Sequence, residues 1–200
     1  MHKMEPSTRF TTTAIGLMHI INHFDSEFIL SKENEFKIWH SSVNLPTRSL
    51  SLYGLASFAK EQGINVKIVV EEHEYSFDID QLPPHKRDEI SNAKFSSFIH
   101  QKKARNSGVE IDEKPFSMED VKNYLKNGKL ILLRLNKQAF FGYKPEPTYF
   151  AVFSFNKKDE TFTIVDPKEG VIDISEDKMF EAFDSLKTKC RRDHRMIVFG

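Results

Sequence analysis

Apolar positions repeat at helical spacing in the first third of the chain, thin out across a charged middle, and alternate or run continuously through the last third. From Thr13 to Phe24, Ala14, Leu17, Met18, Ile20, Ile21 and Phe24 share one face at about 100° per residue, with His19, Asn22 and His23 opposite. This predicts an amphipathic helix with a solvated polar side. Asn34 to His40 predicts a second, short helix. After the turn Leu45-Pro46-Thr47-Arg48-Ser49, the spacing of Leu52, Leu55, Ala56 and Ala59 predicts a third, with Gly63 at its C′ position. The strand Ile64 to Val70 follows at once.

Residues 71–116 are charged and polar. Pro83-Pro84 leads into a predicted helix from His85 to about Asn106, with Phe95, Phe98 and Ile99 as its buried stripe. This stretch is too short to bury a core of its own, so it reads as an insertion or flap within one domain of residues 1–200. Ser117-Met118-Glu119-Asp120 has the form of a capping box opening a helix to Asn127, with Val121, Tyr124 and Leu125 inward and Gly128 as its stop.

Three strands come next: Lys129 to Leu135, Thr148 to Phe155, and Thr161 to Pro167, the last closing in an Asp166-Pro167 turn. Ser175 caps a final helix whose first turn carries Glu176 and Asp177, and Met179, Phe180, Phe183 and Leu186 form its apolar stripe. Arg195 to Phe199 is a last short strand. Helices gather early and strands late, which argues α+β with a mainly antiparallel sheet.

Composition narrows the functional classes. With 200 residues, 39% hydrophobic content and 18 Phe, the chain can bury one substantial core. Lys plus Arg and Asp plus Glu balance at 29 each, so no long-range field draws in nucleic acid or an anionic membrane. Residues 1–7 lack the apolar centre of a secretory signal, and no segment approaches the ~18 apolar residues of a membrane span. The expected location is the cytoplasm.

The single cysteine, Cys190, excludes an internal disulfide and a thiolate-rich metal site. Lys189, Arg191 and Arg192 are expected to lower its thiol pKa, although no base stands beside it in sequence. His19 and His23 have the spacing of a metal-binding pair, but no Glu follows His19 as in a zinc-peptidase motif. No metal or other cofactor is expected. Phe140, Phe141, Tyr143, Tyr149 and Phe150 near Lys137 and Lys144 have the ingredients of a base-stacking platform. Strand alternation and the Pro145-Glu146-Pro147 loop account for them equally well.

The order of elements resembles the bacteriocin-processing cysteine peptidases, the cleavers of double-glycine leaders, within the papain-like superfamily. In that family a Gln precedes a Cys-Gly-x-Ala helix opening; a helix, Gly and strand unit follows, then a His-Tyr-x-Val-Val strand and an Asp-Pro turn. Leu52 to Val70 is similar to the middle unit, Tyr149 to Phe153 to the strand after the His, and Asp166-Pro167 to the turn. Matching Ala14 to the family's Ala sets Thr11 at the nucleophile position and Glu5 at that of the oxyanion-stabilising Gln. Matching Tyr149 and Val152 sets Thr148 at the general-base position, and Asp166 alone keeps the family's residue. The implied fold is papain-like, with N-terminal helices packed on the sheet.

A cysteine peptidase needs a thiolate at a helix N-terminus, ion-paired with an imidazole. An internal threonine hydroxyl has no comparable acidity, and threonine nucleophiles usually use their own α-amino group as base. The three threonines also have an ordinary role, Thr12 or Thr13 serving as N-cap. The leading expectation is therefore a non-catalytic relative that binds a peptide, a protein tail or a small molecule in the former cleft. Thr11, Thr12, Thr148, Tyr149 and Asp166 would line that cleft, beside a helix N-terminus suited to an anion.

Two alternatives stand beside it. An active amide hydrolase or acyl transferase would use a rearranged nucleophile among Thr11, Thr12, Thr13 or Cys190, with Glu5, His40, His73, His85, His100 or His194 as base. Adjacent strand residues face opposite ways, so Asp193 is not expected to orient His194. A structural partner of another chain would present Phe140 to Phe150 as an exposed contact loop.

Overall fold

The computed structural model describes residues 4–72, 84–167 and 169–200, with backbone alone at Pro84 and His85. The expected base His73 and the side chain of His85 lie outside the described residues. The first helix, α1 (Thr12–Phe24), is buried along its middle on every side, from Ala14 through Ile21. Ile15 and Gly16, outside the predicted stripe, are buried with the rest, and Phe24, inside it, is 41% exposed. His19 is only 3% exposed. The amphipathic reading of this helix is thus corrected: α1 is central, and its polar side is confined to half-buried Asn22 and exposed His23.

One side of α1 lies on the sheet and the other meets α2 (Lys32–Ser42) and α3 (Leu52–Glu61). Ser31 opens α2 by accepting the Asn34 N–H at 3.2 Å, and Ser51 opens α3 by accepting that of Gly54 at 3.4 Å. Gly63, at φ +81°, turns the chain out of α3 into β3 (Val66–Val70), as its position in the sequence required. A two-residue ladder, β1 (Val43–Asn44) with β2 (Ser49–Leu50), closes the loop between α2 and α3.

The main sheet joins β3 with β4 (Glu110–Glu113), β5 (Leu130–Asn136), β6 (Pro147–Asn156), β7 (Thr161–Asp166), β8 (Gly170–Ser175) and β9 (Arg195–Phe199). Their spatial order is β4-β3-β9-β5-β6-β7-β8, antiparallel throughout except between β3 and β4. Alternation divides the core in two. Leu130 and Leu132 of β5 pack with α1, α2 and α3 on one face. Ile131, Leu133 and Leu135 pack on the other with α5 (Met118–Lys126) and α7 (Glu176–Thr188). Coverage of both faces explains why β5 reads as a continuous apolar run. The fold is α+β, with N-terminal helices on a mainly antiparallel sheet. Among the described residues no helix is long and apolar enough to cross a membrane.

Ser117 and Asp120 form the predicted capping box of α5. Ser175 stands at the N-cap of α7 but makes no capping bond through its side chain, being the last residue of β8. In α7 the inward place expected of Phe180 belongs to Ala182, and Phe180 is 37% exposed. Residues 71–116 contribute the edge strand β4 and the helix α4 (Pro84–Asn106). The predicted stripe of α4 is also corrected: Phe95, Phe98 and Ile99 are 65%, 58% and 53% exposed. Its packed face is instead Ser97, His100 and Ala104, spaced i, i+3 and i+7.

Small residues win there because α4 crosses close to α3. The His100 Nε2 lies 3.0 Å from the Val43 carbonyl oxygen. A Cβ built on Gly54 would lie 2.6 Å from Ser42 Cα and 3.0 Å from His100 Nδ1. Alanine favours a helix over glycine by about 1 kcal/mol, whereas forcing bulk into packed backbone costs about 1–3 kcal/mol. With a backbone atom as obstacle the second effect wins, so Gly54→Ala should lower stability by about 1–2 kcal/mol. Denaturant unfolding checks this, and an unchanged midpoint would contradict the close approach of Gly54 to Ser42 at the end of α2.

Burial also sets the charge of His19, whose pKa is pushed down to about 4 from 6.5. The unfolded chain takes up this proton first, so the contribution of neutral His19 is complete above pH 6.5 and is lost as pH falls toward 4. The loss amounts to about 3 kcal/mol. Urea unfolding across that window should show a steeper decline for the parent than for His19→Leu.

Candidate functional site

The segment before α1 is held from beneath. Glu35, fully buried on α2, accepts the backbone N–H and the hydroxyl of Ser7, both at 2.7 Å. Thr11 then folds back on the same loop: its hydroxyl donates to the Thr8 carbonyl at 2.9 Å and accepts the Thr8 N–H at 3.1 Å. Thr11, rather than Thr12 or Thr13, is the N-cap residue, and its side chain caps nothing. No acidic residue stands in the first turn. The positive end of a thirteen-residue helix therefore carries no side-chain counterpart of its own.

A cavity of about 520 Å³ opens at this end of α1. Thr12 and Thr13 contribute to one wall, Thr148 and Tyr149 from the start of β6 to another, and the loop of Asn44 to Leu50 to a third. The first half of α4 supplies Lys86, Ile90 and Lys94. Arg134 of β5 faces Tyr149 directly across the ladder, with its guanidinium carbon 6.0 Å from the ring centre. Arg134 is 7% exposed and donates to the Asp193 carboxylate at 3.1 Å. The other oxygen of that carboxylate takes Arg195 Nε at 2.6 Å, and Arg195 is fully buried.

At the mouth, Arg9 and Arg48 both approach the Phe10 ring, at 4.8 and 5.7 Å from its centre. Arg48 sits at φ +63°, a conformation uncommon outside glycine.

The structure thus gathers Thr12, Thr13, Thr148 and Tyr149 around one space. Thr11 is 1% exposed and turned into its own loop, outside the lining. Glu5 is exposed and outside the lining. Asp166 is 8% exposed, accepts the Glu169 N–H at 2.9 Å in the turn from β7 to β8, and also lies outside it. The lining among the described residues includes no histidine and no cysteine.

The remaining candidate bases are engaged elsewhere. His194 stacks on Phe183 with ring centres 3.6 Å apart, its Nε2 is 3.0 Å from the Phe183 carbonyl oxygen, and its Nδ1 is 3.3 Å from Glu71. Burial holds its pKa below the ordinary value against the opposing pull of Glu71. Asp193 turns to the two arginines; it and His194 precede β9 rather than lying on it, so strand alternation is not what separates them. His100 is held at Val43, and His40 lies edge-on to Trp39. Phe140 packs edge-on against Phe150 and is half-buried, so the 140–150 loop does not present the two phenylalanines as an open patch.

Cys190 corrects a further expectation: burial raises its pKa, outweighing Arg134, Arg192 and Lys189. Among the described residues no three His, Cys, Asp or Glu side chains gather where a metal could sit.

Sequence reasoning missed the cations of the cavity, namely Arg9, Arg48, Lys86, Lys94, Arg134 and Arg192. One signal was available: Arg134 is the lone charge inside Leu130 to Leu135, a run otherwise wholly apolar. The others lie far apart in sequence, and only the packing of α4 and of the Asn44 to Leu50 loop brings them together.

A family model described as "Peptidase_C39 like family" matches residues 1–200. Among solved structures the chain is similar to the Pseudomonas avirulence protein AvrPphB, at 8% identity and a TM-score of 0.39, covering 100% of this chain and 96% of that one. No curated protein matches.

A thiol kept protonated by burial reacts slowly, because the thiolate is the nucleophile. Alkylation of Cys190 by iodoacetamide at neutral pH should run slower than that of a free cysteine in a short peptide. Faster alkylation would restore Cys190 as a nucleophile candidate.

Proposed function

The chain belongs to the Peptidase_C39 like family, and from that premise we propose that it is a non-catalytic member whose cleft binds a peptide or protein tail. The observation that carries this reading is the lining of the cavity at the start of α1, which among the described residues contains threonines and arginines but neither thiol nor imidazole. Acyl transfer by a cysteine peptidase requires both groups in contact. A threonine at the general-base position cannot take a proton at neutral pH, and Thr11 spends its hydroxyl on Thr8.

What such a cleft keeps is shape and hydrogen-bonding capacity. The uncapped first turn of α1, the Thr148 hydroxyl and the Arg134–Tyr149 pair surround a space of about 520 Å³, within the ordinary range for ligand sites. An extended peptide is the occupant that a peptidase-type cleft accommodates without chemistry. Thr12, Thr13, Thr148 and Tyr149 are the contact residues of this reading, with Thr11 and Asp166 supporting the loops behind them.

Two measurements test it together. Incubation with mixed peptide substrates should give no cleavage above the buffer rate, and amide chemical-shift changes on adding pooled short peptides should centre on Thr12, Thr13, Thr148 and Tyr149. Cleavage abolished by Thr12→Ala, Thr13→Ala or Cys190→Ser would sink the non-catalytic reading. Shift changes confined to other surfaces would sink the placement of the site.

A further inference from the structure

We propose that the occupant of this cleft is an acidic peptide, one whose carboxylates meet the ring of cations at the cavity; the inference rests on the peptide-binding reading and specifies its ligand. The chain as a whole is neutral, with 29 basic and 29 acidic residues. The cavity is not. Among the described residues its lining holds Arg9, Arg48, Lys86, Lys94, Arg134 and Arg192 against Glu89 and Glu146. Glu146 is already taken by Lys137 at 3.1 Å. An excess of positive charge in a concave site of a neutral protein concentrates field lines there and raises the local concentration of anions.

The placement of two of these cations makes the point sharper. Arg9 and Arg48 converge on one ring, Phe10, and among the described residues no carboxylate pairs with either of them. Like charges brought toward one aromatic ring repel unless an anion lies between or beside them. Elsewhere in the protein comparable cations are matched: Lys67 lies between Glu110 and Asp112 at 2.6 and 2.8 Å, and Lys122 reaches Glu176. Deeper in, Arg134 shares Asp193 with Arg195, so a single carboxylate serves two buried guanidiniums. The uncapped first turn of α1 adds backbone donors of the same sign.

A peptide is favoured over nucleic acid by extent. The positive surface is confined to one cavity of about 520 Å³, whereas a polynucleotide needs a track of cations along several phosphates.

The test uses the full chain and three synthetic peptides of equal length, alike except that alternate positions carry Glu, Gln or Lys. A single-stranded oligonucleotide of similar charge serves as a fourth probe, with binding read by fluorescence anisotropy at low and high salt. The Glu peptide should bind at least roughly tenfold tighter than the Gln peptide, with affinity falling as salt rises. Arg48→Glu and Arg9→Glu, both at exposed positions, should each weaken it about tenfold, while Lys158→Glu on the distant β6–β7 turn leaves it unchanged. Equal binding of Glu and Gln peptides, or no effect of either arginine variant, overturns the acidic ligand and leaves the peptide cleft standing. Binding by none of the peptides overturns both. Tighter binding of the oligonucleotide than of the Glu peptide assigns the cavity to nucleic acid and also overturns the inference.

Discussion

Everything in this fold is arranged around the burial of α1. Ala14 to Ile21 lose contact with solvent on all sides, and five large apolar side chains among them are fully enclosed. Each such side chain contributes about 1.5–3 kcal/mol when removed from water, a gain matched by the five buried apolar side chains of β5, on which α1 lies. The demand is geometric as well. A helix enclosed all round needs the sheet beneath it and at least two helices above, which α2 and α3 supply. It also needs a way to enter the core without stranding polar backbone, and the loop clamped by Glu35 and tied by Thr8 and Thr11 provides it. The cavity lies where that entry reaches the surface.

A second constraint, the shared carboxylate of Asp193, joins the core to the cavity. Isolated buried cations are costly, and a buried Arg is retained only when hydrogen-bonded to a charge. Arg195 and Arg134 meet that condition through opposite oxygens of one side chain, which also fixes the chain leaving α7 against β5 and β9. Arg134 is thereby held rigidly at the inner wall of the cavity, opposite Tyr149. Loss of the Asp193 carboxylate would remove a charged partner from two buried guanidiniums at once, so this residue couples stability to the inner wall of the cavity.

Legibility in the sequence followed the local rules. The strands β5, β6, β7 and β9, the capping box of α5 and the Gly63 turn were readable because each depends on neighbours a few residues apart. The edge strands were not. β4 reads Glu-Ile-Asp-Glu, a charged run that is a strand only because β3 offers it a partner, and β8 alternates over too few residues to stand out. His19 and the α4 stripe failed for one reason: helical spacing says that a face exists but not which face is covered. α1 is covered on all faces, and α4 turns its small residues inward because Gly54 lets it come close. Of the site, the α1 start and the Thr148-Tyr149 strand could be read from the family pattern. The cations could not, since no local rule links Arg9, Arg48, Lys94 and Arg134.

The parts of this architecture that hold the cleft open are separable from the groups a cysteine peptidase uses for chemistry. A thiolate and an imidazole at the head of α1 are not needed to bury that helix, to pair β5 with β6, or to hold Arg134 on Asp193. The threonines at the head of α1 and the start of β6 carry no charge, and a hydroxyl there can be satisfied locally, as that of Thr11 is by Thr8. Among the described residues the lining carries Glu89 and Glu146 beside its cations, and no acidic side chain stands in the first turn of α1. On the proposed reading, a cleft of this kind attracts standing negative charge with no alteration of the fold.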